Sequence, residues 1–248
     1  MNAPNFLIEG TNISDAWSNT LKYVLEQPKM EISPLVITLT GFEESASTRN
    51  VLDAHLLSNK YGSVQTVSET IFPDSLYKLF KYDRNALYDE YLMNLPRLKK
   101  IEPKGNGRGT YFERLIAYND EKNNKKINQL DIIIKSLNNE NNTRRSKLQA
   151  SVFDPAKDHT GTPYQGFPCL QHVTFYKSGN GGLVLNSFYA IQYLYRRAYG
   201  NWLGLINLGK FISRETGIEF ERFNCFIGVE KLDKLNRKEA EQLLQRIN

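Results

Sequence analysis

Apolar residues recur along this chain with two periods, and the alternation between them predicts an α+β order. Between Ser14 and Glu26, the residues Ala16, Trp17, Leu21, Val24 and Leu25 fall on one helical face, with Ser14 placed to cap it. Leu35–Leu39 is short and rich in β-branched residues, which predicts a strand. Thr48–Tyr61 reads as a helix closed by the Tyr61-Gly62 pair. Ser75–Leu95 carries aromatics at helical spacing and is expected to stop near Pro96. Lys99–Gly109 reads as a basic, Gly-containing loop, Thr110–Tyr118 as the next element, and Asn119–Lys126 as a polar surface loop. Ile127–Leu137 returns to the helical period through Leu130, Ile133 and Ile134.

After the polar connector Asn138–Asn142 the pattern turns to strands. Lys147–Phe153 leads into Asp154-Pro155. Pro168–Tyr176 and Leu183–Tyr193 are two β-prone runs joined by Lys177-Ser178-Gly179-Asn180-Gly181-Gly182, a strong hairpin signal. Asn201–Thr216 predicts a long helix with Gly217 as its C-terminal cap. Phe223–Val229 and Arg237–Ile247 close the order as a strand and a helix. No repeat and no linker interrupts it, so one α+β domain over residues 1–248 is expected.

Composition narrows the function classes. The net charge of +5, from 32 basic and 27 acidic residues, is too mild and too dispersed for a nucleic-acid polymer track. It suits a small anionic ligand. Two cysteines, Cys169 and Cys225, make neither a disulfide framework nor a four-ligand zinc site, so no metal is expected. Met1–Gly10 lacks a basic stretch followed by an apolar run, and the longest apolar stretch is far short of a membrane span. The expectation is a cytoplasmic protein with no membrane partner.

Few residues stand out chemically. Cys169 follows Gly166-Phe167-Pro168 and opens a strand, where it serves either as a packed core thiol or as a nucleophile. Strand alternation would put His172 on the opposite face from Cys169 and Gln171 on the same face, making Gln171 the better pocket candidate. Arg144-Arg145 is either a solvated basic pair or an anion clamp. Asn201 can cap the helix it opens, Tyr111 can be a core tyrosine, and Glu69 can be a surface carboxylate. Arg196 and Arg197 either solvate a turn or hold an anion.

Taken in order, these segments resemble the thymidylate synthase superfamily, which includes the pyrimidine hydroxymethylases. The resemblance runs from about Gly10 to the C-terminus. Ser68-Glu69-Thr70-Ile71-Phe72-Pro73 is similar to the segment bearing that family's catalytic glutamate. Gly109-Thr110-Tyr111-Phe112-Glu113-Arg114-Leu115 is similar to its Tyr-Gly-x-Arg region, and Asn128-Gln129-Leu130 through Arg144-Arg145 to its helix and arginine pair. Pro168-Cys169 matches its nucleophile, and Asn201-Trp202-Leu203-Gly204-Leu205 the helix that begins with a pyrimidine-reading Asn.

The resemblance implies a mixed sheet flanked by helices and a homodimer formed through that sheet. It also implies a pyrimidine nucleotide substrate and 5,10-methylenetetrahydrofolate as one-carbon donor. Cys169 would be the nucleophile, with Glu69, Asn201 and Tyr111 as catalytic groups. Arg144, Arg145 and Gln171 would bind substrate, the arginines reaching into the partner's site. Departures are plain. Tyr189-Ala190-Ile191 stands where a Gln-Arg-Ser motif is expected, Tyr193 where an Asp is, and Val229–Asp233 where an Asp-x-His-x-Tyr motif is. These changes imply a divergent C5 methyl- or hydroxymethyltransferase, or a catalytically silent nucleotide sensor, or an assembly subunit without nucleotide.

Overall fold

The β-branched and aromatic runs pair into one six-stranded mixed sheet. The computed structural model describes residues 6–120, 122–139, 143–162 and 168–247. The first half holds β1 (Phe6–Asn12), α1 (Ile13–Glu26), β2 (Glu31–Ile32), β3 (Leu35–Glu43), α2 (Ala46–Ser58), α3 (Val64–Glu69), α4 (Asp74–Leu79), α5 (Arg84–Ile101) and α6 (Pro103–Asn106). Next come α7 (Tyr111–Ile116), β4 (Tyr118–Asp120), β5 (Lys125–Ile127), α8 (Gln129–Leu137), β6 (Gln149–Ser151) and α9 (Pro155–Asp158). The last part holds β7 (Leu170–Lys177), β8 (Leu183–Tyr189), β9 (Gln192–Tyr193), a π-helical turn (Leu194–Ala198), α10 (Tyr199–Thr216), β10 (Phe220–Ile227), β11 (Glu230–Lys231) and α11 (Arg237–Ile247).

The main sheet runs β1-β3-β10-β8-β7-β6. β1 is parallel to β3 and β10 to β8, while the other neighbours are antiparallel. A mixed sheet with packed helices is thus the observed class. Strand alternation sends Ile37, Leu39, Phe223, Cys225, Leu185, Val173 and Phe175 into a continuous buried cluster with α1 and α10.

The opposite sheet face stays partly open. Across five strands, Leu7, Val36, Phe226, Phe188 and His172 are successive register partners. His172 stacks on Phe188 at 5.8 Å and Phe188 on Phe226 at 5.4 Å, yet Leu7 is 59% and Phe226 41% exposed.

Close backbone approach brings α10 onto α3. A Cβ at Gly204 would sit 2.7 Å from the Ser68 carbonyl oxygen, and one at Gly200 2.5 Å from the Val67 side chain. Gly217 ends α10 with φ 67°, the left-handed conformation its sequence position predicts.

Several element boundaries differ from the sequence pattern. Asn12, not Ser14, caps α1 by accepting from the Ser14 and Asp15 amides; Ser14 instead bonds the Tyr199 hydroxyl at 2.7 Å. The stretch read as helical from Ser75 breaks at Lys81 and Tyr82, both left-handed. Pro96 does not end α5. The carbonyl it deprives of a donor is that of exposed Leu92, where water can replace the bond. Asn119–Lys126 contains strand residues of the β4–β5 hairpin rather than only loop.

Candidate functional site

Cys169 stands at the entry of β7, half-buried, with its carbonyl accepting from Ala190 N at 3.1 Å. That bond ties the thiol's backbone to the corner leaving β8. Burial raises the Cys169 thiol above its ordinary value, and the positive charge of Arg197 opposes that rise. Cys225 differs: it is fully buried on β10, and burial pushes its thiol up to about 12. The two cysteines therefore divide into an approachable thiol and an inert core one.

Tyr111 reaches Cys169 from α7. A capping box starts this short helix: Thr110 accepts from Glu113 N at 3.0 Å, and Glu113 accepts from Thr110 N at 3.2 Å. Burial and the nearby Cys169 charge push the Tyr111 phenol up to about 12, while the backbone amides of Cys169 and Leu170 and the charge of Arg197 act the other way. At neutral pH it is a protonated donor beside the thiol. Three residues on, Arg114 fixes α7 to the segment before Cys169. Its guanidinium meets Asp158 at 2.5 and 2.9 Å and donates to Val152 O at 2.8 Å and Arg108 O at 2.9 Å.

Asn201 is buried at 6% exposure, in the first turn of α10. It is not an N-cap. The π-helical turn carries the winding upstream, so α10 begins at Tyr199 without a side-chain cap. The capping role expected for this amide is therefore not the one it plays.

Glu69 ends α3, and its carboxylate is occupied. It accepts from Gln65 Nε2 at 2.5 Å, Ser75 Oγ at 2.7 Å and Ser75 N at 3.2 Å, which anchors the start of α4. Among the described residues, no hydrogen bond or ion pair joins it to Cys169.

Arg144 and Arg145 are exposed. Arg145 lies over the Tyr176 ring at 5.4 Å, on the open face of the sheet. Gln171 also departs from strand alternation. A bulge between Leu170 and His172 lets the Val152 and Phe153 amides both donate to Gln171 O, at 2.8 and 2.9 Å. Gln171 and His172 consequently line the same groove on the open face, with Phe188 and Phe153, and the Gln171 amide donates to Pro168 O at 2.5 Å. The expected Cys169–Gln171 face, opposite His172, does not exist as drawn from alternation. Gly166 and Phe167 lie outside the described residues.

The sequence left other polar groups unread. Arg197, undecided there, is exposed and has no carboxylate partner among the described residues, whereas Arg196 is bound to Asp233. Tyr189, which pairs in register with Leu170, is fully buried with an unpartnered hydroxyl. Behind it, Glu230 and Gln192 face each other across β11 and β9, both buried, and none of their side-chain polar atoms has a partner. Burial holds the Glu230 carboxyl well above the usual range, with Asp233 adding to the rise. A register pairing formed by two two-residue strands gives no signal in the sequence. No group of three or more His, Cys, Asp or Glu suited to a metal occurs among the described residues. No helix among them is long and apolar enough to cross a membrane.

No family model matches the chain. A protein of Methanocaldococcus jannaschii described as "Putative thymidylate synthase" is 33% identical over 118 residues, covering 44% of this chain. The match spans about half of that relative, 48% of its length.

Proposed function

We propose that this protein is a divergent pyrimidine nucleotide C5 methyl- or hydroxymethyltransferase that uses Cys169 as its nucleophile. The observation that carries the reading is the half-buried Cys169 thiol at the head of β7, with the Tyr111 phenol held at the Cys169 and Leu170 backbone amides beside it. The partial likeness to the archaeal protein supports the same class.

The chemistry follows from the pyrimidine ring. Its C6 is electrophilic through conjugation with the C4 carbonyl. The Cys169 thiolate adds to C6, and the electron pair moves to O4 as an enolate. Asn201 is suited to hold the N3–O4 edge, since an amide offers both a donor and an acceptor. Tyr111, protonated at neutral pH, is a donor near the developing charge. The enolate carbon C5 then attacks a one-carbon electrophile. Loss of the C5 proton and of the donor's amine would leave an exocyclic methylene at C5; addition of water there (hydroxymethyl) or of a hydride from the reduced donor (methyl), with expulsion of the Cys169 thiolate, restores the ring double bond. Glu69 moves protons through water in this scheme, exchanging Ser75 for solvent.

A reduced folate would supply the carbon at the formaldehyde oxidation level. Tyr111 beside the Cys169 thiol and the amide of Asn201 are the groups this reading assigns to the pyrimidine.

The open sheet face, with its apolar row from Leu7 to His172, is where a second copy would seat, giving a homodimer. Arg145, parked on Tyr176 of that face, and Arg144 beside it would then reach the partner's site. Incubation with each pyrimidine nucleotide and 5,10-methylenetetrahydrofolate tests the reading by mass of the product. A nucleotide gaining a C5 carbon supports it, and unchanged nucleotides under all conditions count against it. A second reading, nucleotide binding without turnover, is favoured by the commitment of Glu69 to Gln65 and Ser75. Calorimetric binding without any C5 product would select it.

A further inference from the structure

We propose that Glu230 and Gln192 form a buried acid–amide pair, joined by two hydrogen bonds across β11 and β9, that braces the segment leading to Asn201, whatever the Cys169 site binds.

The register of the three-stranded sheet β2-β11-β9 brings the two side chains together. Glu230 pairs with Ile32 on one side and Gln192 on the other, and Lys231 pairs with Glu31 and Tyr193. Register partners send their side chains to one face, from strands about 4.8 Å apart. The sheet therefore carries two rows. Glu31, Lys231 and Tyr193 make the outer one, where Lys231 faces Glu31 at 3.8 Å. Ile32, Glu230 and Gln192 make the inner one, at 1%, 0% and 2% exposure. Strand alternation asks for apolar residues in a buried row, yet a carboxyl and an amide stand there side by side.

Both carboxyl oxygens of Glu230 and both amide atoms of Gln192 lack any other partner among the described residues. Buried polar atoms are costly unless paired. A carboxylic acid and a primary amide complete each other: the acid O–H donates to Gln192 Oε1, and Gln192 Nε2 donates to the acid carbonyl oxygen. The terminal torsions of both side chains are soft, so rotation about them closes the two bonds.

The ring needs a proton on Glu230, and its surroundings keep one there. Asp233, three residues on, is negative and adds to the effect of burial. Cys225 from β10 and Tyr189 from β8 are both raised by burial and neutral near pH 7. Arg196 is bound to Asp233, and Lys231 belongs to the outer row.

The strands that the pair joins hold the π-helical turn from two sides. β9 runs directly into that turn, which leads to α10 and Asn201. Asp233, just past β11, accepts from Arg196 N of the turn at 3.3 Å and binds its guanidinium. Gln192 N donates to Val229 O at 2.8 Å and Leu232 N to Met30 O at 3.0 Å, which closes the small sheet around the pair. Ionising Glu230 would strand a charge in the inner row and favour opening of that sheet.

The test uses the full chain, Glu230→Gln and Gln192→Met, with circular dichroism to certify each fold. Glu230→Gln keeps both bonds as an amide–amide pair that cannot ionise. At neutral pH the wild type should show the infrared carbonyl band of a protonated carboxyl. Glu230→Gln should remove that band, and Gln192→Met should shift it to the higher frequency of a carbonyl with fewer hydrogen bonds. Hydrogen exchange in peptides covering β9 and β11 reads the brace. A carboxyl raised by folding loses its stabilising contribution as pH rises above its unfolded value. After correction for intrinsic rates, wild-type protection should therefore fall about tenfold per pH unit from about pH 6 to about pH 8, because opening releases one proton. Protection in Glu230→Gln should stay level.

A wild type without a carboxyl band that Glu230→Gln removes would overturn the neutral acid. A band that Gln192→Met leaves in place would give the acid another partner and overturn the pair. Protection that falls equally in Glu230→Gln would overturn the brace, and this comparison stands even if Gln192→Met does not fold.

Discussion

Replacing Arg114 by Met tests what holds Tyr111 and the approach to Cys169 in place. Arg114 makes four hydrogen bonds, two to Asp158 and one each to the Val152 and Arg108 carbonyls. The pair is nearly out of water, with side-chain exposures of 9% and 1%. Methionine would fill the volume and leave the Asp158 carboxylate with the Asp154 amide at 2.8 Å. Removing one partner of a buried ion pair costs about 3–5 kcal/mol, a large part of the roughly 5–15 kcal/mol that holds a domain together. Urea unfolding measures it as a fall in midpoint at constant slope. The double variant Arg114→Met, Asp158→Leu should recover most of the loss, because it strands no charge. The acid limb supplies a second check. Burial would raise the Asp158 carboxyl, but Arg114 and the Asp154 amide outweigh it and hold it below the usual carboxylate range. A depressed carboxyl stabilises fully above its unfolded value and loses that contribution as pH falls through the folded one. The wild type should therefore weaken more steeply in acid than the double variant. A single variant losing less than about 1 kcal/mol would refute the argument that this pair is a desolvated clamp.

Other consequences are open to direct measurement. A disulfide reagent should titrate Cys169 quickly and Cys225 only on unfolding, and two equally fast thiols would contradict the burial of Cys225. Glu230→Gln should stabilise the protein near neutral pH, by about 1–3 kcal/mol, since it removes the ionisation that favours the unfolded chain. A carboxyl raised by folding contributes most below its unfolded value and loses that as pH rises, so the gain should be larger at pH 8 than at pH 4; equal melting shifts at both would count against it. Phe226→Asp, in the open apolar row, should convert the proposed homodimer to monomer in sedimentation without unfolding it, whereas an unchanged mass would count against this face as the interface.

Much of the order was legible in the sequence because the signals are local. The hairpin between β7 and β8 has a glycine-rich turn, α10 ends on a glycine in the left-handed conformation, and α11 keeps its expected bounds. Long-range features were not legible. The parallel strand β1 pairs with β3, but its polar-apolar alternation is weak and its partner lies beyond a helix. The bulge at Gln171 overturned an alternation argument that holds only for regular strands. The cap that Asn201 could have supplied is not formed, because π winding before a helix leaves no compositional mark. At the site, Tyr111 lies beside Cys169, while Glu69 is tied to Gln65 and Ser75.

Release of tritium from C5 of labelled dUMP, UMP, dCMP and CMP addresses the central claim directly, because addition of the Cys169 sulfur at C6 is what makes the C5 hydrogen exchangeable. The wild type should release tritium from at least one of the four and Cys169→Ala from none. Label fully retained in all four, or released equally by the variant, would contradict it.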